Sequence, residues 1–276
     1  MALVAANLCY TYAAGTAYEV PALLGLDVHL ECGDLLVIAG TTGSGKSTLL
    51  RLLAGLLRPS SGTVGLDGSP ASDRRSRGRA AMVFQNPESQ FFAESLLADV
   101  SFGPRNLGAQ EPARLAADAL AAVGLDPDTF GDRSPFTLSG GEARRAAIAG
   151  ALAMRAPYLL LDEPTAGLDR RGRRDVVLAI GRERHRAGVA VVTHDPEEFL
   201  PSATRVLALH AGETAFAGSV DELLANPSPY LEAGLRLPEV VMAQLFARGR
   251  GLPVGAMEFE PEAAAARLSH ARGTRS

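Results

Sequence analysis

The chain has 276 residues, 47% of them hydrophobic and 21% charged, enough for a substantial core in one large domain or one domain with appendages. A net charge of −4 does not suggest a nucleic-acid binder, and Cys9 and Cys32 are too few for a disulfide framework, so two buried thiols in a reducing compartment are expected. Met1 to Leu8 lacks the basic start of a signal peptide, no apolar run reaches the roughly 18 residues a membrane span needs, and a soluble cytoplasmic protein is expected.

In chain order, Leu3 to Tyr12 reads as a strand ending in aromatics and Leu26 to Leu30 as a second, with a loop over Ala13 to Pro21 between them. After the turn Glu31-Cys32-Gly33-Asp34, Leu35 to Ala39 is an uninterrupted apolar run, as a buried parallel strand reads. Gly40, Gly45, Lys46 and Ser47 then have the spacing G-x-x-x-x-G-K-[ST] of a P-loop, and Leu49 to Leu57 continues as a helix ended by Arg58-Pro59. Lys46 is the only lysine; every other residue of the Lys+Arg total of 27 is arginine. A compact ammonium can lie between two phosphates where the wide guanidinium fork cannot. Strand, glycine turn and helix N-terminus together offer the backbone N–H groups of Gly40, Thr41, Thr42, Gly43, Ser44, Gly45, Lys46, Ser47 and Thr48 to a nucleotide triphosphate.

Thr63 to Leu66 reads as a short strand and Ala80 to Phe84 as another, with a solvated arginine-rich loop at Ser69 to Arg79 between them. From Glu88 to about Met154 the pattern is helical, with breaks near Gly103-Pro104, Gly124 and Gly131 to Pro135. Tyr158 to Leu161 and Val189 to Val192 are buried strands, separated by an amphipathic helix over Arg170 to Arg186. Arg205 to Leu209 and Thr214 to Ala217 form a hairpin, and Val220 to Leu224 a short helix. Pro238 opens a helix with Met242, Leu245, Phe246 and Gly249 on one face, and the last few residues are expected to be disordered.

A triphosphate site needs a metal ion, a group to orient water and a group near the γ-phosphate. Ser47 is the expected magnesium ligand, and Asp162, at the end of an apolar strand, stands where a Walker-B carboxylate supports the metal. Glu163 follows at the point where strand alternation breaks, so it can turn toward the nucleotide as a general base. His194 ends another buried strand on the same sheet edge, where ligands of such sheets bind. Ser139, Gly140, Gly141 and Glu142 read as a capping box, but the two glycines exceed what capping requires and suggest a second phosphate nest.

Gly40 to Thr48, Gln85, Leu-Ser-Gly-Gly-Glu at 138–142, Leu-Leu-Leu-Asp-Glu at 159–163, Ala-Gly-Leu-Asp at 166–169 and His194 resemble, in order and spacing, six motifs of ABC-transporter ATPases. These are the Walker A, Q-loop, signature, Walker B, D-loop and switch-histidine motifs. The resemblance covers roughly residues 1–225 and implies an α/β P-loop NTPase (ABC ATPase). Such a fold has a RecA-like core, an N-terminal antiparallel β subdomain, a helical subdomain inserted over about 88–154, and here a small C-terminal helical extension over 226–276. It implies ATP and Mg2+ as cofactors, with Gln85 joining Ser47 at the metal and acting in catalysis beside Glu163 and His194. It also matches Tyr12 to the aromatic that stacks on adenine, the alternative being a strand-core tyrosine, and implies a head-to-tail dimer in which Ser139, Gly140 and Gly141 meet the γ-phosphate held by the partner.

The stretches 84–92 and 99–108, Arg144 to Gly150, Asp162 to Gly172, and the segment 15–23 look like the ATPases of energy-coupling factor (ECF) importers, the last like the second of their two paralogues. Residues 234–241 resemble their C-terminal dimerisation segment. Ala143 departs from the basic residue often found there; the position is expected on the helix surface, so no loss of activity is implied. The resemblance implies a peripheral ATPase at the cytoplasmic face of the membrane, energising uptake of a vitamin or metal ion. Its partners would be a second ABC ATPase, identical or paralogous, a membrane-embedded coupling subunit and a substrate-binding membrane subunit, with no nucleic acid. The alternatives are an ATPase of another ABC transporter class or a non-transport ABC ATPase acting on DNA or ribosomes. The latter usually carry a coiled coil, a zinc site or a tandem second ATPase, none of which this sequence has.

Overall fold

The computed structural model describes residues 1–86 and 90–273. The expected start of the helical stretch at Glu88, residues 87–89 of the ECF-like segment and the end of the tail lie outside the described residues. Strands β1 (Ala2–Tyr12) and β2 (Val20–Glu31) form an antiparallel hairpin. β2 begins earlier than the expected Leu26 because β1 templates it along its whole length, from Tyr12 opposite Val20 to Leu3 opposite Leu30. β3 (Leu35–Gly40) leads into α1 (Lys46–Leu53). β4 (Ser61–Leu66) pairs with the other side of β1, and β5 (Ser69–Pro70) completes a four-stranded antiparallel sheet of order β2-β1-β4-β5.

β6 (Ala80–Val83) returns the chain to the main sheet. Among the described residues four α-helices follow: α2 (Leu96–Asn106), α3 (Pro112–Ala122), α4 (Pro127–Phe130) and α5 (Gly140–Ala153). The expected break at Gly103-Pro104 does not occur. α2 runs through both residues, sacrificing the one hydrogen bond that proline cannot donate. Gly103 serves packing there: a Cβ would stand 2.7 Å from Cγ of Met154, so the glycine lets α2 lie close to the end of α5.

β7 (Tyr158–Asp162), α6 (Arg170–Glu183), β8 (Gly188–Val192), β9 (Arg205–His210) and β10 (Glu213–Ser219) complete a six-stranded sheet of order β10-β9-β3-β8-β7-β6. All of its neighbours are parallel except β10, which folds back on β9. Every residue of β3, β7 and β8 is buried, which is why each reads as an unbroken apolar run. Alternate residues serve opposite faces. Leu35 and Val37 join a core with α2, α3, α5 and α6, whereas Leu36 and Ile38 join one with β1, β2 and α1. Ile38 and Asp162 lie on either side of Val192, so β3, β8 and β7 end together on one edge.

The chain ends in α7 (Val220–Ala225), α8 (Ser228–Glu232), α9 (Glu239–Gly249) and α10 (Pro261–Gly273). Helix α9 starts after Pro238 as expected, but buries Val241 and Gln244 while Met242 and Phe246 face outward. Gln244 accounts for the difference. Its amide donates to the carbonyls of Val240 (2.9 Å) and Glu258 (2.7 Å) and accepts from the Glu258 N–H (3.0 Å). A satisfied amide can be buried where an apolar stripe would be expected. Both cysteines are free thiols as expected, but neither is buried: Cys9 is half-buried and Cys32 exposed.

A side-chain contact ties the turn of the antiparallel sheet to the main sheet. Tyr158, buried at the start of β7, donates its hydroxyl to Oδ1 of Asp67 (2.5 Å) in the turn between β4 and β5. Asp67 also pairs with Arg79, so that arginine is a tether rather than part of a solvated loop. Burial, then the Asp67 contact, raises the Tyr158 phenol well above its usual range. Tyr158→Phe leaves the Asp67 carboxylate one donor short and is expected to cost about 1–3 kcal/mol. A denaturant midpoint unchanged from the parent would show that the contact adds nothing to stability.

Candidate active site

The P-loop is shaped by close approaches. A Cβ on Gly40 would stand 2.3 Å from Oγ of Ser44 and 2.7 Å from the Leu209 carbonyl. One on Gly45, whose φ is 99°, would meet Cδ2 of Leu23 and the Ala22 carbonyl of β2 at 2.5 and 2.6 Å. The hairpin therefore presses on the loop, and only glycine fits at either place. Thr41, Thr42 and Gly43 are exposed, Ser44 and Thr48 are buried, and Lys46 and Ser47 are half-buried. Lys46 Nζ donates to the carbonyls of Gly40 (2.7 Å) and Thr41 (3.0 Å), which a phosphate would replace. Burial holds its ammonium below the usual lysine range, opposed by the charges of Glu163 and Asp162. Tyr12 shares a hydrogen bond with Thr48 (2.9 Å between oxygens) and its ring packs edge-on against Tyr10. The aromatic at the end of β1 is thus tied to the P-loop helix.

Asp162 ends β7 beside Ser47, whose hydroxyl lies close enough to act on its carboxylate. Burial pushes its carboxyl above the usual aspartate range, more than the Ser47 contact lowers it. Its Oδ1 has no hydrogen-bond partner among the described residues. An orphaned buried carboxylate oxygen next to a hydroxyl suits a hard divalent cation, which prefers oxygen ligands.

Glu163 has a φ of 52°, so the alternation of β7 ends at this residue. A non-glycine residue in the left-handed region is strained, and such strain concentrates at functional sites. Its Oε2 lies 2.8 Å from Nδ1 of His194, an otherwise exposed side chain beyond the end of β8. An ionised carboxylate only accepts, so Nδ1 is the donor in this pair. Gln85 is exposed just past β6, on the same sheet edge. Lys46, Ser47, Asp162, Glu163, His194 and Gln85 therefore stand on elements that end at one edge.

Ser139, Gly140, Gly141 and Glu142 stand apart from that group, at the start of α5. The capping box is complete: Ser139 N–H donates to Glu142 Oε2 (2.8 Å), and Glu142 N–H donates to Ser139 Oγ (3.4 Å). The Ser139 N–H, and after it the Ser139 hydroxyl donating to the same Oε2 (2.7 Å), hold the Glu142 carboxyl below its usual range. The glycines have no such internal reason. A Cβ on Gly140 would meet nothing within 4 Å, and one on Gly141 only Cδ2 of Leu168 at an ordinary 3.7 Å. They border a cavity of about 500 Å3 shared with Phe136, Leu138, Ala166 and Gly167, none of which is a P-loop residue.

One residue of the site escaped the sequence reading. Arg144 donates through Nη1 to the Glu163 carbonyl (2.6 Å) and through Nη2 to the Gln85 carbonyl (2.8 Å). Its only local signal was the pair of arginines following the signature stretch, which names no acceptor.

Comparison with known proteins gives a consistent picture. The family model described as ABC transporter matches residues 23–166. The energy-coupling factor transporter ATP-binding protein EcfA2 of Symbiobacterium thermophilum is 42% identical over 97% of this chain and 96% of its own length. Its namesake in Streptococcus sanguinis is 44% identical over 79% and 81%. Among solved structures, cbiO1 of Clostridium perfringens, part of the ABC transporter complex cbiONQ, is 32% identical with a TM-score of 0.69, covering 87% of this chain and 97% of its own. The dimeric ATP-binding cassette MJ0796 bound to ADP and Pi is 27% identical with a TM-score of 0.71, covering 79% and 98%. No helix among the described residues is long and apolar enough to cross a membrane. The chain belongs to the ABC transporter family and, within it, to the ATP-binding subunits that couple ATP hydrolysis to energy-coupling factor transport.

Proposed function

We propose that the chain works at the cytoplasmic face of the membrane as one of two ATPases, paired with an identical chain or a paralogue and docked on membrane-embedded coupling and substrate-binding subunits. The expected cargo is a vitamin or a metal ion. The observation that carries the pairing is the open Gly140-Gly141 nest, whose glycines nothing in their own chain requires. A γ-phosphate held by a neighbouring P-loop would need that close backbone approach.

In this reading Tyr12 stacks on the adenine while Lys46 and the P-loop amides hold the phosphates. Ser47, Asp162 and Gln85 would hold Mg2+, which when bound neutralises charge on the β- and γ-phosphates. Glu163 accepts a proton from water as its oxygen attacks the γ-phosphorus and the bond to the β-phosphate oxygen breaks, leaving ADP and phosphate. His194, now tied to Glu163, contacts the γ-phosphate. A groove of about 250 Å3 between α2 and α5, bordered by Met82, Phe91, Phe102 and Gly103, opens beside the end of β6. Phe92, packed edge-on against Phe102, is exposed at its rim. An apolar groove with exposed aromatics fits a helix end of a membrane subunit.

The test is purification of the intact complex from membranes, with its subunits and bound small molecule identified by mass spectrometry. Integral membrane subunits and a second ATPase are expected. Stable recovery only with a soluble DNA or ribosome complex would overturn the transport arrangement.

A further inference from the structure

We propose that Arg144 is a positioning residue that links the two nucleotide sites of the paired ATPases, a role that rests on the pairing proposed above. Gly140 and Arg144 are four residues apart on α5, hence on one face of the helix, and both border the same cavity. The upper end of that face offers the nest to the neighbouring subunit's nucleotide. One turn below, the guanidinium grips two carbonyls of its own subunit, those of Glu163 and Gln85.

Those two acceptors lie on separate loops, 78 positions apart in sequence by residue number, and each carries a side chain assigned to the local nucleotide. The Glu163 carbonyl belongs to a residue in the left-handed region, so its direction is set by an unfavourable backbone conformation that a charged donor helps to hold. Glu163 in turn binds His194. A shift of α5 on capturing the neighbour's γ-phosphate therefore reaches the local water-activating group and the loop beside the membrane-subunit groove. Both bonds are made to main-chain oxygens, so what matters is the donor. Arginine's rigid fork places a separate nitrogen on each carbonyl, whereas lysine's compact ammonium has no fixed fork with which to span two loops.

The test compares Arg144→Lys and Arg144→Ala with the parent in the assembled transporter, measuring ATP affinity, turnover against ATP concentration and thermal midpoint. Both variants are expected to bind ATP within about 3-fold of the parent, to lose about 10-fold or more in kcat, and to lower the Hill coefficient of hydrolysis toward one. A merely structural role would lower the thermal midpoint and leave the Hill coefficient unchanged. Parent-like turnover and cooperativity in Arg144→Lys would overturn the fork-specific link, because charge alone would then suffice. A lower kcat with cooperativity intact would overturn the link between sites. If the parent itself hydrolyses without cooperativity and Glu163→Gln forms no ATP-dependent pair, the pairing fails and the link falls with it. A cooperative parent with cooperative variants rejects the link alone.

Discussion

Glu163→Gln is expected to bind ATP with near-parent affinity, to turn over at least about 100-fold more slowly, and to accumulate as a closed ATP-bound pair. The geometry makes the substitution selective. The amide is nearly isosteric with the carboxylate, and its oxygen can still accept from His194 Nδ1, now 2.8 Å from Glu163 Oε2. The backbone at φ 52° and the bonds from the Glu163 N–H to the Val192 carbonyl and from Arg144 to its own carbonyl involve no side-chain atom of residue 163. The lost property is the ability to take a proton. Binding and closure should therefore survive while cleavage does not. Size-exclusion chromatography with and without ATP, beside a phosphate-release assay, reads both halves. Near-parent hydrolysis would remove Glu163 from the role of base.

How much of this site could be read in advance follows from the nature of each interaction. The P-loop and the strand ends at Asp162 and Val192 were legible because a strand buried on both faces must be an unbroken apolar run, and its end is then marked by the first polar residue. The capping box at Ser139 was legible because its partners are three residues apart. The Arg144 contacts were not, since an arginine's acceptors 19 and 59 positions away are chosen by the tertiary fold. Helix α9 shows the other kind of limit. Its periodicity located a helix but could not rank a stripe of Met242 and Phe246 against one of Val241 and Gln244, because burial of Gln244 depends on distant Glu258. Pro104 misled for a related reason. A local breaker costs about 3 kcal/mol in a helix interior, and here α2 packs Leu96 and Val100, in the two turns before Pro104, into the core against that cost.

Gly140→Leu separates a phosphate nest from a plain helix cap. The added side chain starts in open space within its own chain, at a glycine with no left-handed φ, so the fold should be no less stable than the parent. Leucine is also the better helix former, by somewhat under 1 kcal/mol in a helix interior. Ser139 and Glu142 keep their reciprocal bonds, so capping is untouched. ATP binding to the isolated chain should be unchanged, because no P-loop residue borders the Gly140 cavity. What changes is access to the N–H groups at the mouth of a 14-residue helix, where a γ-phosphate from a neighbouring subunit would have to come into backbone contact. Hydrolysis by the pair is expected to fall about 100-fold, the range seen when transition-state donors are lost, and the double variant Glu163→Gln with Gly140→Leu should no longer pair on ATP. Unchanged turnover with a parent-like thermal midpoint would mean that the glycines serve only the helix. A loss of turnover with ATP binding intact would assign the second half of each site to the neighbouring subunit, since the altered surface lies outside the chain's own P-loop.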